Sequence, residues 1–219
     1  MLLPSSDSAV LLSTAYFPPI DYFVAIANGG DVRLEQYENY CKQSYRSRCN
    51  IFACDGVLSL TIPVVTSGNN TPIREVKVDY TKKWLQQHTR ALVSAYMSSP
   101  FFEYYQDDIF SILESGEKYL FDLNCKLMDL LMENLGLNRE IALTSEYIPS
   151  HLLQDNVLDY RERIHPKKGS PIFTDEVKQK PYYQVFSQKY GFVSGLSVLD
   201  LLFNEGPQAS TFLRIGNRK

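Results

Sequence analysis

The sequence predicts an α/β protein. It reads as a single domain with a mixed central sheet covered by helices, then a C-terminal loop-rich extension ending in a short helix. Three observations predict this. An apolar run at residues 10–15 leads through a proline turn into a helical period and then into an alternating segment, which is a strand–helix–strand order. Two more segments rich in β-formers flank a polar turn. After residue 81 the apolar period becomes helical and stays so through three successive segments.

Residues 10–15 (VLLSTA) form the first strand, stopped by Tyr16-Phe17-Pro18-Pro19 because tandem prolines cannot continue a ladder. In residues 20–28 (IDYFVAIAN), Ile20, Phe23, Val24 and Ala27 have helical spacing, and Gly29-Gly30 stop the helix. Residues 31–35 (DVRLE) alternate like a strand. Residues 57–65 and 74–80 also alternate, and the polar stretch 67–72 makes them a hairpin with a long loop.

Thr81 can cap a helix running to about residue 97, which Ser99-Pro100 breaks. A second helix covers 101–115, and a third covers 118–135 and ends at Gly136. Residues 139–144 are a last short strand. The polar stretch 145–180 reads as loop, arm or lid. Residues 196–204 form a short helix with Ser197 as N-cap, ended by Gly206-Pro207. The single domain spans 1–219, with a core over 9–145, an extension over 146–208 packed on it, and a frayed tail over 209–219.

Composition excludes several function classes. The chain has 219 residues, a net charge of −3, only three His and four Cys, but 15 Tyr and 12 Phe against one Trp. The cysteines have no CxxC pair and are too sparse for a stapled scaffold, and there is no HExxH, so no metal is expected. The acidic balance argues against nucleic acid as a partner. The N-terminus has no basic signal region, and no apolar run is long enough to span a bilayer. The expected setting is cytoplasmic and reducing. GxGxxG, Walker A, GxSxG and kinase motifs are absent, and no cofactor is identified.

Five segments are candidates for chemistry. Residues 39–50 hold Lys42, Arg46 and Arg48 with no carboxylate, plus Tyr40 and Tyr45. Guanidinium forks and an ammonium suit an anionic ligand, so the expected partner is a phosphorylated or nucleotide-linked small molecule. The competing reading is a solvated basic strip paired with Glu35 or Glu38. The turn at Tyr16 lies after the first strand, where open α/β sheets bind ligands, or is a stiff structural turn. His88 shares a helix face with Trp84, Leu92 and Ala95. It is either a satisfied core histidine or a general base. Asp200 and Asn204 share a face of the last helix, near Lys180-Pro181-Tyr182-Tyr183. They either orient a ligand or satisfy buried backbone as the helix docks. A second basic cluster, residues 161–168 (RERIHPKK), either swings over an anion or faces water.

The order of these blocks resembles the WbqC-like family, particularly its Bacteroidetes branch, over residues 11–208. The resemblance rests on LLSTAYFPPIDYF, EQYENYCKQSYRSRCNI, LSLTIPV, WLQQHTRAL, SPFFEYY, KPYYQVF and FVSGLSVLDLLFNEGP. Ser13 and Ala15 stand where the broad family usually has Gln and Asn. Pro19 replaces a frequent Trp, and Tyr45 and Ser47 depart from the Trp and Asn around the arginines.

Members of the family are associated with surface-polysaccharide and O-antigen gene clusters, and a glycine- or acyl-transfer role has been suggested for it. The resemblance therefore implies a transferase acting on a nucleotide- or lipid-linked sugar. The alternative is a non-catalytic binding or assembly protein of a glycan or envelope pathway. In the transferase reading Lys42, Arg46 and Arg48 hold a diphosphate. His88 and Asp200 are the catalytic candidates, and Tyr16, Tyr40, Tyr183 and Asn204 line the ligand site.

Overall fold

The computed structural model describes residues 3–66, 68, 70–174 and 177–215. The first strand, β1 (Ala9–Ser13), is buried along its whole length, as a central parallel strand must be. It passes through the 14–19 turn into α1 (Ile20–Asn28), and β2 (Val32–Glu35) returns parallel to it, with Val10 opposite Val32 and Ser13 opposite Glu35. The helix has the bounds expected from its period.

The reason for Gly29-Gly30 is sharper than helix termination. Gly29 has an ordinary φ of −70°, but a Cβ there would lie 2.5 Å from Val10 Cγ2. A Cβ on Gly30 would lie 2.1 Å from the Ser6 carbonyl oxygen. Only glycine lets the chain pass this close to the entry of β1.

The hairpin differs from expectation. β3 (Arg48–Ala53) pairs antiparallel with β4 (Gly56–Thr61), so the basic segment runs into a strand that the sequence reading missed. The anticipated strand over 57–65 is split near Pro63. Only its end, β5 (Val64–Val65), meets β6 (Lys77–Val78). Gly56 at φ 105° helps close a two-residue turn at Cys54-Asp55. Pairing across so short a connection costs less chain entropy than pairing across the long 66–76 loop. Ser67 and Asn69 of the expected turn lie outside the described residues.

Three helices follow in the expected order: α2 (Trp84–Tyr96), α3 (Phe102–Glu114) and α4 (Leu120–Asn134). Thr81 does not cap the first, because its hydroxyl bonds Asp79 and the helix begins three residues later. α2 packs on β3 and α3, and α3 packs on α4.

The sheet is completed by β7 (Ala142–Leu143) beside β2 and by β8 (Val157–Asp159) beside β1. Its order is β7-β2-β1-β8 and every pairing is parallel, with the antiparallel pairs lying outside it. β8 emerges from the stretch read as loop, where a three-residue strand amid polar residues leaves little periodic signal.

Beyond the short α5 (Ser187–Tyr190), Ser197 caps α6 (Val198–Glu205) as expected, its Oγ accepting from the Leu199 N–H at 3.3 Å. Backbone bonds from Ile20 to Leu196, Ser197 to Asn50 and Val198 to Pro18 clamp this helix start over the 16–19 turn. Residues 198–204 are all buried, and the Phe203 ring packs 5.1 Å from Tyr96 and 5.0 Å from Phe102.

The chain continues past Pro207 into the stretch expected as a tail. It forms α7 (Ala209–Phe212), with Ala209 and Leu213 fully buried. Residues 216–219 lie outside the described residues. Among the described residues, no helix is long and apolar enough to cross a membrane.

Gly30→Ala is expected to destabilise the fold by roughly 1–3 kcal/mol, because the new methyl meets backbone rather than a movable side chain. Urea unfolding measures this. An unchanged midpoint would show that the approach to Ser6 relaxes freely.

Candidate functional site at the carboxyl edge of the sheet

Three parallel strands end side by side in polar residues: β1 in Ser13, β2 in Glu35 and β8 in Asp159. The chain leaves β1 for β2 on one side, and β8 joins it on the other. Such a reversal of strand order opens a crevice at the carboxyl edge of a parallel sheet. Two buried arginines fill this edge.

Arg46, 3% exposed, donates from Nε to Glu38 Oε1 at 2.8 Å and from Nη2 to Glu38 Oε2. Its Nη2 also meets Ser13 Oγ at 2.9 Å and Glu162 Oε1 at 2.8 Å. Ser13 Oγ in turn donates to Glu38 Oε2 at 2.8 Å. Arg161, 5% exposed, grips Asp159 with Nε at 2.9 Å and Nη2 at 2.8 Å. Its Nη1 reaches Glu35 Oε2 at 3.1 Å, and its guanidinium lies over the Tyr147 ring at 4.9 Å. Glu35 is held further by Thr144 Oγ1 at 2.9 Å and by the Tyr37 N–H at 2.8 Å.

The electrostatics follow from burial and pairing. Burial pushes the Glu38 carboxyl above its ordinary value, opposed by Arg46 and Ser13. For Arg46, burial lowers the pKa, but Glu38 and Glu162 outweigh it and raise the net value. Burial would raise the Asp159 pKa, yet hydrogen bonds from Arg161 and Ser150 bring it below the usual carboxylate range. Four carboxylates face two guanidinium groups here.

The network floors a cleft of about 280 Å³. Tyr37, Asn39, Tyr147 and Ser150 line it together with the charged groups Glu38, Arg46, Asp159, Arg161 and Glu162. Tyr37 and Tyr147 are about half exposed, and Glu162 is the exposed carboxylate at 59%.

The residues anticipated as a diphosphate clamp do not converge. Lys42 is exposed, Arg46 is buried in the network, and Arg48 starts β3 with its Nε 3.2 Å from Thr61 Oγ1. An arginine whose Nε and Nη2 are already held by two carboxylates does not offer that fork to an anion. The other basic cluster is also tied down. Arg161 is internal, Lys167 bonds Gln43, and Lys168 Nζ donates to the Glu162 carbonyl at 2.7 Å.

The remaining candidates lie inside the core or away from the cleft. Tyr16 is fully buried, and its hydroxyl pairs with His88 Nδ1 at 2.9 Å. His88 is 3% exposed and packs edge-on to Trp84 at 5.2 Å. Burial drives its imidazole down to about 4, against a hydrogen bond to the Thr61 backbone. This is the satisfied core histidine rather than a base facing a cavity.

Asp200 Oδ2 accepts from Tyr182 Oη at 2.7 Å and Gln184 Nε2 at 3.0 Å. Burial raises its carboxyl to about 6, with Tyr182, Tyr96 and Gln184 opposing. Asn204 Nδ2 donates to the Asp200 carbonyl at 2.7 Å. Asp200 docks the 182–184 segment onto α6, while Asn204 bonds only within the helix. Tyr183 is exposed, with its N–H on Glu205, and Tyr40 bonds Ser47 Oγ at 2.7 Å.

Of the anticipated residues, only Arg46 lines the cleft. The sequence reading named Glu38 as a partner of the basic strip, though of a solvated one, and it missed Tyr37, Tyr147, Asp159 and the true role of Arg161-Glu162. One local signal existed: Asp159-x-Arg161 directly after an apolar Val157-Leu158 pair, a spacing that lets the arginine fold back on the carboxylate.

The model of the WbqC-like protein family matches residues 14–212, and the chain belongs to that family. A relative in Mycobacterium tuberculosis (strain ATCC 25618 / H37Rv), the uncharacterized protein Rv1507c, is 26% identical over 223 residues, covering 93% of this chain and 96% of the relative. No solved structure matches the chain.

Two outcomes test the site. Arg46→Met is expected to cost about 3–5 kcal/mol, because Glu38 stays buried without its partner. The double change Arg46→Met with Glu38→Met should recover most of that. Urea titrations of the three proteins measure both steps, and equal losses would show that the ion pair is not the cause.

The second outcome concerns pH. His88 is neutral in the fold with a pKa of about 4, against 6.5 for an ordinary imidazole. Its contribution is therefore complete above about pH 6.5 and is lost as pH falls toward 4. His88→Gln should flatten that part of a stability–pH profile, and an unaltered slope would count against the core assignment.

Proposed function

We propose that the cleft binds the ring of a sugar, and that the chain transfers an acyl or aminoacyl group to that sugar in surface-glycan biosynthesis. One observation carries the sugar reading. Two half-exposed tyrosines flank a small cleft whose remaining lining is carboxylate, amide, hydroxyl and guanidinium. Flat amphipathic rings cover the apolar faces of a pyranose, while planar polar groups bond pairs of hydroxyls. The cleft volume suits one ring better than a whole nucleotide sugar. Family membership supports the glycan setting through the gene clusters associated with such proteins.

In this reading Glu162, exposed and anchored by Arg46, replaces His88 as the base. The acceptor hydroxyl or amine gives its proton to Glu162. Its oxygen or nitrogen bonds the acyl carbon of an activated donor, and the bond from that carbon to the donor's leaving group breaks. Tyr37, Tyr147 and Asn39 orient the ring. A second reading, a non-catalytic sugar-binding protein, is favoured by one observation: Arg46 and Arg161 are both engaged by carboxylates, leaving no unpaired cation in the cleft for an anionic donor.

A thermal-shift screen of uncharged monosaccharides, sugar phosphates and nucleotide sugars tests the binding step. A true ligand at 100 times its dissociation constant adds about 2.7 kcal/mol of stability. That gain should vanish in Tyr147→Ala and weaken in Glu162→Gln, both at exposed side chains. Stabilisation that survives Tyr147→Ala would remove the cleft from consideration. Mass spectrometry of the bound sugar after incubation with acyl and aminoacyl thioesters then separates the two readings. An acyl adduct lost in Glu162→Gln supports transfer, and binding without an adduct supports the second reading.

A further inference from the structure

The opposite edge of the sheet, where the chain enters β1, β2 and β7, carries a groove of about 1460 Å³. Its floor is apolar, with Val24 and Ala27 from α1, Leu137 after α4, and Phe173, Phe212 and Ile215 from the C-terminal part. Most of these side chains are only partly buried, so the floor is open to a ligand. Four cations stand on its rim: Arg139, Lys178, Lys180 and Arg214. No described lining residue is a carboxylate, in a chain whose net charge is −3.

The four cations are not equivalent. Arg139 is committed to the fold, its Nη1 donating to the Gly29 and Gly30 carbonyls. Lys180 lies over the Phe212 ring at 4.3 Å, a contact that keeps its ammonium beside the apolar floor. Lys178 and Arg214 form no ion pair among the described residues. This is the reverse of the cleft, where every buried guanidinium is already neutralised.

We infer that the groove binds an anionic amphiphile, a molecule with a phosphate head and one apolar chain. The chain lies along Phe173, Phe212 and Ile215, and Lys178, Lys180 and Arg214 hold the head. Each half of the surface requires its half of the ligand. Partly exposed aromatic and aliphatic side chains gain by covering apolar area. Ammonium and guanidinium groups without carboxylate partners make their strongest bonds to phosphate oxygens. The groove has room for a chain-bearing ligand. The concavity favours a single molecule lying in the groove over the flat face of a bilayer. The inference uses none of the residues of the sugar cleft and stands whether or not that site is an enzyme.

Isothermal titration with dodecyl phosphate below its micellar concentration tests it on the full chain. One saturable site is expected, about tenfold weaker in the Lys178→Glu, Arg214→Glu double variant and in Phe173→Ser. Dodecyl maltoside, with the chain and no charge, and inorganic phosphate, with the charge and no chain, should each bind about tenfold more weakly than dodecyl phosphate. The charge-reversed variant alters exposed side chains only, so its melting curve should match the parent and a loss of binding is not a loss of fold. Undiminished binding in that variant would overturn the proposal. So would equal binding of dodecyl maltoside, or binding of anionic phosphatidylglycerol vesicles with none of monomeric dodecyl phosphate.

Discussion

The burial of two arginines at one edge of the parallel sheet constrains everything around them. A guanidinium removed from water is tolerated only when its charge and its donors are met. Arg46 meets that demand by drawing together Ser13 at the end of β1, Glu38 after β2 and Glu162 after β8. Arg161 does the same for Glu35 and Asp159. The segments after β2 and β8 are therefore fixed by charge pairs as well as by packing. What remains free to meet a ligand is the outer layer: Tyr37, Tyr147, Asn39 and the exposed side of Glu162. The cleft owes its rigidity to groups that the ligand need not touch.

The tyrosine excess has a related explanation. Buried tyrosines here cross-tie the core through their hydroxyls. Tyr16 meets His88, Tyr22 donates to the Ser13 carbonyl at 2.8 Å, Tyr96 accepts from the Phe52 N–H at 3.1 Å, and Tyr182 meets Asp200. A phenol fills apolar volume and still satisfies one polar partner, which suits a core holding buried His and Asp side chains. The tyrosines that line the cleft are others, Tyr37 and Tyr147. Type alone does not separate the two uses, because the ring is the same and only its surroundings differ.

The two edges of the sheet also differ in charge. The carboxyl edge gathers four carboxylates around two arginines, and the amino edge gathers four cations with no described carboxylate in the groove lining. A single small net charge hides this division. The residues responsible are scattered between positions 35 and 214, so no window of the sequence contains either patch.

Local patterns were legible where a physical preference acts within one turn or one strand. The period of residues 20–28 set α1, the three later helices followed from theirs, and Ser197 capped α6 because its hydroxyl has only to reach two residues on. The family was legible in the order of the blocks.

Other outcomes rest on contacts between distant segments. The strand expected at 57–65 found its partner in residues 48–53, since a two-residue turn wins over a long loop. Residues 157–159 became a strand because β1 offered an unpaired edge. Arg46 and Arg161 became internal because carboxylates from several loops converge on them, whereas His88 and Asp200 were absorbed by the core. A sequence determines how each segment prefers to curl or extend. Which charges face one another is decided only when the folded backbone brings their carriers within hydrogen-bond distance, because that interaction depends on separation in space and carries no local period.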